Sequence, residues 1–253
     1  MKLYLNSTTF IDTAQPIDLS IRLSNTKDNP RAWYVDAPVF EPVRTDHYVG
    51  SVAEGGVVNF RDIAFNPHGH GTHTECLGHI TKEVYSVNSV LKAYMMKASV
   101  ITVTPQEVNT ATEEVDLVIS AEQLELTDFT GEALIIRTIP NNESKKSTNY
   151  SETNPPYLDV KCADYLLRNG VKHLLIDLPS VDKEDDGGVL AFHHRFWEVP
   201  ENPNFERTIT ELIFVPDTVK DGEYLLELQV APFENDAAPS RPVIYQIQKE
   251  RTQ

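Results

Sequence analysis

Short runs of apolar and β-branched residues, separated by turn residues, recur along the chain and predict strands. The predicted strands are residues 17–23, 57–65, 98–104, 132–139, 172–178, 208–215, 224–230 and 242–248. Two stretches predict helices: residues 86–97, which begin at a serine, and residues 158–170, which end at an Asn-Gly stop. Because the second helix leads directly into a strand, we expect half of a βαβ unit there. The pattern indicates a mixed α/β protein whose closely spaced C-terminal strands are antiparallel.

The segment 140–156, PNNESKKSTNYSETNPP, is polar and bounded by prolines. Such a composition predicts a long surface loop. A lid over a binding site and an excursion without a role both agree with this pattern, so the two interpretations stay open.

Residues 68–79, HGHGTHTECLGH, contain four of the eight histidines of the chain, namely His68, His70, His73 and His79. Proline and glycine in NPHGHG interrupt the preceding strand and bend the chain. His73 and Glu75 are two residues apart, so an extended backbone projects both to one face. Gly78 then offers a turn that can bring the last histidine back toward them. Converging imidazole and carboxylate groups suit a Zn²⁺, Mn²⁺ or Fe²⁺ site, which we favour over a solvated polar loop.

A second set of candidate ligands lies far downstream. His193 and His194 are adjacent, so at most one of them can face a given point, whether on a helix or on a strand. Glu211 lies in TITELIFV, a run that is apolar on both faces from Ile209 onward and is typical of a strand covered on both sides. A carboxylate buried there must be paired or coordinate a metal, whereas on an edge strand it would face water.

Composition narrows the classes of function. Apolar residues make up 40% and charged residues 24% of the 253 residues, as in an ordinary globular protein, and the formal net charge is −16. This charge argues against a nucleic-acid partner and against anionic membrane surfaces. No apolar run approaches the roughly 18 residues of a membrane span, and the N-terminal stretch does not resemble a signal peptide. Two cysteines, Cys76 and Cys162, form no disulfide framework, so we expect a reducing, cytoplasmic setting.

The stretch HGHGTHTECLGH resembles the signature of the metal-dependent cyclase family, which includes bacterial kynurenine formamidases and isatin hydrolase. That signature places a histidine shortly before Gly-Thr-His, an acidic residue two positions on, and a further histidine four positions beyond. Residues 71–73, Glu75 and His79 match it in register. Further similar segments are IDLS (17–20), HHRFW (193–197) and the C-terminal stretch 210–247. The resemblance therefore covers most of the chain.

The resemblance implies a single domain over residues 1–253 with a swivelling β/β/α fold. It also implies one or two divalent ions, with zinc or manganese expected, and an arylformamidase-like amidohydrolase that cleaves a carbon–nitrogen bond in a formamide, amide or lactam. The implied metal ligands are His68, His73, Glu75, His194 and Glu211, and His79 matches the catalytic histidine. His70 and His193 stay open as alternate ligands. His194 is preferred because it directly precedes Arg-Phe-Trp, in the place of the family's His-Arg-hydrophobic run.

Three departures from the family pattern bear on activity. Glu75 stands where aspartate is usual, and the proline that usually precedes the last histidine is absent. Gly69 occupies the position of the first histidine, which His68 and His70 flank. These changes concern the metal number and the substrate more than the fold. They leave a catalytically altered metal- or small-molecule-binding protein on the same fold as an alternative, and a structural metal site in an interaction protein as another, although the latter gives His79 no task.

The substrate is expected to be a small molecule, and relatives of this type lead us to expect a homo-oligomer, a dimer or tetramer. Trp33 and Trp197 are candidate aromatic walls for an aryl substrate, although we favour the interpretation that such residues belong to the core. Asp182 belongs to an acidic run that we interpret as a solvated turn, and Cys76 is interpreted as a packed thiol rather than a nucleophile.

Overall fold

The computed structural model describes residues 1–109 and 115–250. The strands are β1 (Lys2–Tyr4), β2 (Thr9–Asp12), β3 (Ile17–Asp18), β4 (Val39–Pro42), β5 (Arg44–Thr45), β6 (Tyr48–Val49), β7 (Arg61–Ala64), β8 (His73–Glu75), β9 (Met95–Val103), β10 (Gln106–Asn109), β11 (Val115–Ile119), β12 (Ala133–Thr138), β13 (Tyr157–Leu158), β14 (His173–Ile176), β15 (Thr208–Glu211), β16 (Gly222–Val230), β17 (Ala237–Gln246) and β18 (Gln248–Lys249). The helices are α1 (Val87–Val90), α2 (Ala121–Glu125), α3 (Val160–Arg168) and α4 (Ala191–Trp197), with short 3₁₀ helices at Val52–Glu54, Leu77–His79 and Glu143–Lys146.

Seven strands form a closed sheet in the order β16-β9-β12-β14-β15-β8-β17, because β17 pairs back onto β16. β9, β12, β14 and β15 run parallel to one another, while β8, β16 and β17 join through antiparallel pairs. β3 pairs with residues 243–244 of β17, beyond the part of β17 that pairs with β8. The sheet is thus a barrel with both parallel and antiparallel strand pairs, and β8 is a strand of its wall, paired with β15 on one side and β17 on the other.

Helices cover one side of this sheet. In β12, Leu134 and Ile136 belong to a buried cluster that includes Cys162 and Leu166 of α3 and the aromatic residues of α4. The alternate residues of the same strand, Ala133 and Ile135, belong to a second cluster with apolar residues of β16 and β17. The period of two is what a strand covered on both faces requires. Among the described residues, no helix has the length and apolar character that crossing a bilayer would demand.

The predicted helix 158–170 is present as α3, and its caps explain its limits. Asp159 accepts a hydrogen bond from the amide of Lys161 at the N-terminal cap, and Asn169 is the C-terminal cap before a left-handed Gly170. The strand β14 follows directly and pairs in parallel with β12. The expected half of a βαβ unit is therefore confirmed.

The predicted helix 86–97 is wrong in its second half. Ser86 does cap a helix, but α1 ends at Val90, and the chain from Met95 onward is strand β9. From Met95 onward, antiparallel pairing with β16 is more favourable than a helix, because it buries Met96 and satisfies the backbone hydrogen bonds.

Residues 57–65 also differ from their prediction. Only Arg61–Ala64 forms a strand, and this exposed strand pairs with β4 in a two-stranded sheet separate from the barrel sheet. Similarly, β3 is shorter than the predicted strand 17–23, and β15 ends at Glu211 because Leu212 adopts a left-handed backbone with φ of 53°.

The polar segment 140–156 lies on the surface, as predicted, but it is anchored. Arg31 donates its backbone amide to the carbonyl of Thr148, and the amide of Tyr150 donates to the carbonyl of Arg31. The side chain of Tyr150 is buried beside Ala32 and Leu212. These contacts tie the loop to the segment that carries Trp33.

Candidate metal centre

β8 is the short strand that fixes the first two candidate ligands. His73 and Glu75 point to the same face, and both are buried, at 0% and 1% exposure. In the antiparallel ladder with β15, Glu211 lies directly opposite His73. His73 Nε2 lies 3.4 Å from Glu211 Oε2, while its Nδ1 donates to the carbonyl of Gly71 at 2.9 Å. The alternation predicted from the sequence therefore brings these three side chains together.

His68 reaches the same centre from the preceding turn. The Asn66 side chain accepts hydrogen bonds from the amides of His68 and Gly69, which bends the chain toward β8. His68 Nδ1 lies 3.0 Å from Glu75 Oε2, and its Nε2 donates to Asp236 Oδ2 at 2.8 Å.

His70 is turned away from the centre. Its Nδ1 accepts a hydrogen bond from the amide of Asn66 and its Nε2 donates to the carbonyl of Asp36, so both ring nitrogens are used by the backbone. Of the two flanking histidines, the structure brings His68 to the centre and gives His70 the task of holding the turn.

His79 closes the centre on its solvent side. It ends the 3₁₀ helix Leu77–His79, and its ring stacks on that of His68 with 4.2 Å between centroids. Its Nε2 lies 4.0 Å from Glu75 Oε2, and its Nδ1 lies 3.4 Å from Asp236 Oδ2. The side chain is 31% exposed, so it can meet both the centre and a molecule entering from solvent.

The downstream histidine at the centre is His193, and the preference for His194 needs correction. Both lie on α4, where successive residues turn by about 100° around the axis. His193 Nε2 lies 3.0 Å from Glu75 Oε1 and 4.0 Å from Glu211 Oε1, whereas its Nδ1 donates to Asp182 at 2.6 Å. His194 points elsewhere and donates from Nδ1 to the carbonyl of Val199.

The carboxylates of this cluster favour positive charge. Burial opposes protonation of His68, but its hydrogen bond to Asp236 and the nearby negative charge of Glu75 outweigh this effect and raise its pKa to about 10. The same balance, with Asp182 and Glu75 as partners, raises the pKa of His193 to about 10. Although burial alone would raise the pKa of Glu75, the surrounding histidines hold it well below its usual range. The positive charge of the protonated histidines balances the buried carboxylates, and a bound metal cation could balance them in the same way.

The donor set fits a divalent cation. His73 Nε2 and Glu75 Oε2 are buried without a hydrogen-bond partner, which is costly for polar atoms unless a ligand meets them. Ligand atoms of His68, His73 and Glu75 lie within 4.8 Å of one another, as do those of Glu75, His79 and His193. Imidazole nitrogens and carboxylate oxygens are the ligands of Zn²⁺ and Mn²⁺ sites.

A cavity of about 420 Å³ opens onto the cluster and is lined by Trp33, His68, His79, His193 and Glu211. Trp33 adopts a left-handed backbone with φ of 59°, and Leu190, which also lines the cavity, has φ of 46°. Such strained conformations in residues other than glycine concentrate at binding sites. Trp197 is not part of this wall: it is fully buried, packs 5.2 Å from the His193 ring and donates to the carbonyl of Arg207. Its assignment as a substrate contact is therefore wrong.

Two carboxylates of the cluster were missed from the sequence. Asp182, interpreted as solvated, is 7% exposed and accepts hydrogen bonds from His193 Nδ1 and from the amide of Phe192. Asp236 directly precedes Ala237, which pairs with Glu75 across β8 and β17. Neither has a local motif, and only the register of the strands and the start of α4 place them.

Cys76 is a packed thiol, as interpreted from the sequence. It is fully buried, donates to the carbonyl of Tyr85, and burial raises its pKa to about 12. A thiol that stays protonated is a poor nucleophile. Cys162 is likewise buried and free.

Histidine and carboxylate side chains converge beneath a cavity on a closed mixed sheet backed by helices, which places the chain in the class of α/β proteins with a candidate metal centre. Within that class the chain belongs to the cyclase family, whose model, described as "Putative cyclase", matches residues 17–183. This membership confirms the resemblance and the fold expected from it.

Kynurenine formamidases are among the similar curated proteins. The one from Bacillus cereus is 29% identical over 241 residues, covering 93% of this chain and 99% of the relative, and the one from Bacillus cytotoxicus is 25% identical over 246 residues, covering 95% and 99%. Among solved structures, an isatin hydrolase bound to the product analogue thioisatinate superposes with a TM-score of 0.64 at 13% identity, covering 92% of this chain and 93% of that one. This structural likeness shows the shared fold.

Proposed function

We propose that the protein is a metal-dependent hydrolase that cleaves a carbon–nitrogen bond in a formamide, amide or lactam. The observation that carries the proposal is the convergence of four histidines and two glutamates beneath an accessible cavity, namely His68, His73, His79, His193, Glu75 and Glu211. The kynurenine formamidases that align over nearly their whole length support a formamide-type reaction.

In this proposal the metal is held by imidazole and carboxylate groups of the cluster, which are His68, His73, Glu75, His193 and Glu211. Zinc or manganese suits this mixed donor set, and the central position of Glu75 allows one ion or two. When bound, a divalent ion lowers the pKa of water toward neutrality and polarises a carbonyl group.

His79 is the group proposed to move the proton. Hydrolysis adds water to the carbonyl carbon, breaks the carbon–nitrogen bond and transfers a proton from water to the leaving nitrogen. His79 Nε2 faces the centre, and the side chain borders the cavity, so it can take that proton and return it to nitrogen. Such proton transfer typically contributes about 10² to 10⁴-fold to the rate.

Trp33 forms the aromatic side of the cavity and is proposed to contact the substrate. An indole face offers a large apolar surface with little side-chain entropy to lose. The loop 140–156 supports this wall through Arg31 and Tyr150. These features favour an aryl amide, formanilide or fused lactam over an aliphatic amide.

The test is metal analysis of the purified protein, followed by a screen of formanilides, lactams and cyclic imides with and without chelator. We expect stoichiometric zinc or manganese and turnover that chelation abolishes and the metal restores. Metal binding with no turnover of any substrate in the screen would instead support a catalytically altered binding protein, which the glutamate at position 75 permits. A protein that binds no divalent ion would refute both functions.

A further inference from the structure

Asp236 is a carboxylate of the centre to which no role has been given. It lies between β16 and β17 and contacts two histidines at once. Its Oδ2 accepts a hydrogen bond from His68 Nε2 at 2.8 Å and lies 3.4 Å from His79 Nδ1. These distances join one oxygen atom to one nitrogen of each ring.

The opposite nitrogens of the same two rings turn inward as a result. His68 Nδ1 lies 3.0 Å from Glu75 Oε2, and His79 Nε2 lies 4.0 Å from the same oxygen. In a neutral ring, a nitrogen that carries its proton toward Asp236 leaves the other nitrogen with its lone pair, which is the form that can hold a metal or accept a proton. One carboxylate can thereby set the working tautomer of a ligand and of the proton-transferring histidine together.

Asp236 is held firmly relative to the centre. Its backbone carbonyl accepts a hydrogen bond from the amide of Cys76 at 3.1 Å, and Ala237 pairs with Glu75 across the strands. Asp182 has the same relation to His193: it accepts from Nδ1 at 2.6 Å, while Nε2 faces Glu75 at 3.0 Å. The centre is thus flanked by two carboxylates, each on the outer side of the histidines.

We infer that Asp236 is a positioning residue that aims His68 Nδ1 and His79 Nε2 at the centre. The inference rests on the proposed function for its chemical meaning, since the aimed nitrogens serve metal binding and proton transfer. Ring orientation, however, can be measured without either activity.

The matched pair of variants for the test is Asp236→Asn and Glu234→Gln. Both remove one negative charge from the same loop, but Glu234 is exposed and forms no ion pair with His68 or His79 among the described residues. Asp236→Glu serves as the conservative variant. Each protein is measured for Zn²⁺ affinity and stoichiometry, for the visible absorption spectrum after Co²⁺ substitution, and for the orientation of His68 and His79 in metal-free crystals.

We expect D236N to bind Zn²⁺ about 10 to 100-fold more weakly than E234Q at unchanged stoichiometry, because partners of metal-binding histidines typically have effects of this size. The Co²⁺ spectrum should shift, D236E should recover part of the affinity, and at least one of the two rings should rotate. Equal affinities, spectra and ring positions in D236N and E234Q would overturn the inference. Loss of one whole ion in D236N would also overturn it, by making Asp236 a ligand.

Failure of the proposed function gives a different result. If the wild-type protein binds no divalent ion but the rings rotate in D236N, the proposed hydrolase function is refuted and the positioning role of Asp236 is retained. If the wild type binds metal, and D236N and E234Q have equal metal affinities, spectra and ring positions, the proposed function is retained and the positioning role is refuted.

Discussion

The adjacent histidines of α4 provide a sharp comparison, because the resemblance favours His194 whereas the structure brings His193 to the centre. We predict that His193→Asn loses most divalent-metal affinity, whereas His194→Asn keeps it within a few-fold. The first change removes a ring whose Nε2 lies 3.0 Å from Glu75, and the second removes one whose single hydrogen bond goes to a backbone carbonyl.

The effect on stability can be estimated for the metal-free protein. His193 is partner to the buried carboxylates of Asp182 and Glu75, and removing one partner of a buried charge pair costs about 3–5 kcal/mol. His194 is only partly buried and contributes one hydrogen bond, about 0.5–1.5 kcal/mol. At roughly 2–4 °C per kcal/mol for a domain of this size, H193N should lower the Tm by about 6–20 °C and H194N by a few degrees.

The measurement is urea and thermal unfolding in excess chelator, alongside zinc titration by calorimetry. Wild type and both variants are compared at the same pH, so that only the ring differs. The reasoning is refuted if H194N is the less stable variant, or if H193N keeps wild-type zinc affinity.

Three further predictions concern other parts of the molecule. His79→Ala should keep the metal while losing about 10² to 10⁴-fold in kcat, and His73→Ala should lose both; near-normal turnover of H79A would contradict its role. Burial lowers the pKa of His173 to about 4. The unfolded chain therefore binds a proton on His173 at a higher pH than the folded protein does, so the free energy of unfolding decreases as the pH falls from about 6.5 toward 4. H173Q lacks this proton, so over that range its free energy of unfolding should decrease by about 3 kcal/mol less than that of the wild type in urea unfolding. Phe60, which directly precedes β7 and is 57% exposed, is predicted to contact a second copy of the chain; F60D should then lower the mass found by light scattering, and an unchanged mass would exclude this surface.

Much of the sheet was predictable because its strands have apolar residues on both faces. β12 and β14 follow their predicted limits within two residues, and α3 carries its own cap signals. The segment 86–97 was misjudged because its amphipathic spacing suits a helix as well as a strand edge, and pairing with β16 decides the matter. Local pattern determines an element only where no distant partner competes.

The centre was predictable where alternation alone fixes direction. His73 and Glu75 share a face in any extended backbone, and the burial of Glu211 follows from its apolar neighbours. The choice of His193 over His194 depends on how α4 is rotated, which no residue of the helix reveals by itself. The roles of His73, Glu75, His193 and Glu211 as metal ligands are predictions that a metal titration tests.

β8 is three residues long, yet both of its neighbours in the ladder come much later in the chain. Thr74 and Thr210, which share a hydrogen bond across that ladder, are 136 residues apart. During synthesis the histidine segment must therefore stay unpaired until β15 and β17 have been made. A nascent chain arrested before β15 would carry most of the ligands but no place to assemble them, so capture of the ion is expected to be among the final events of folding.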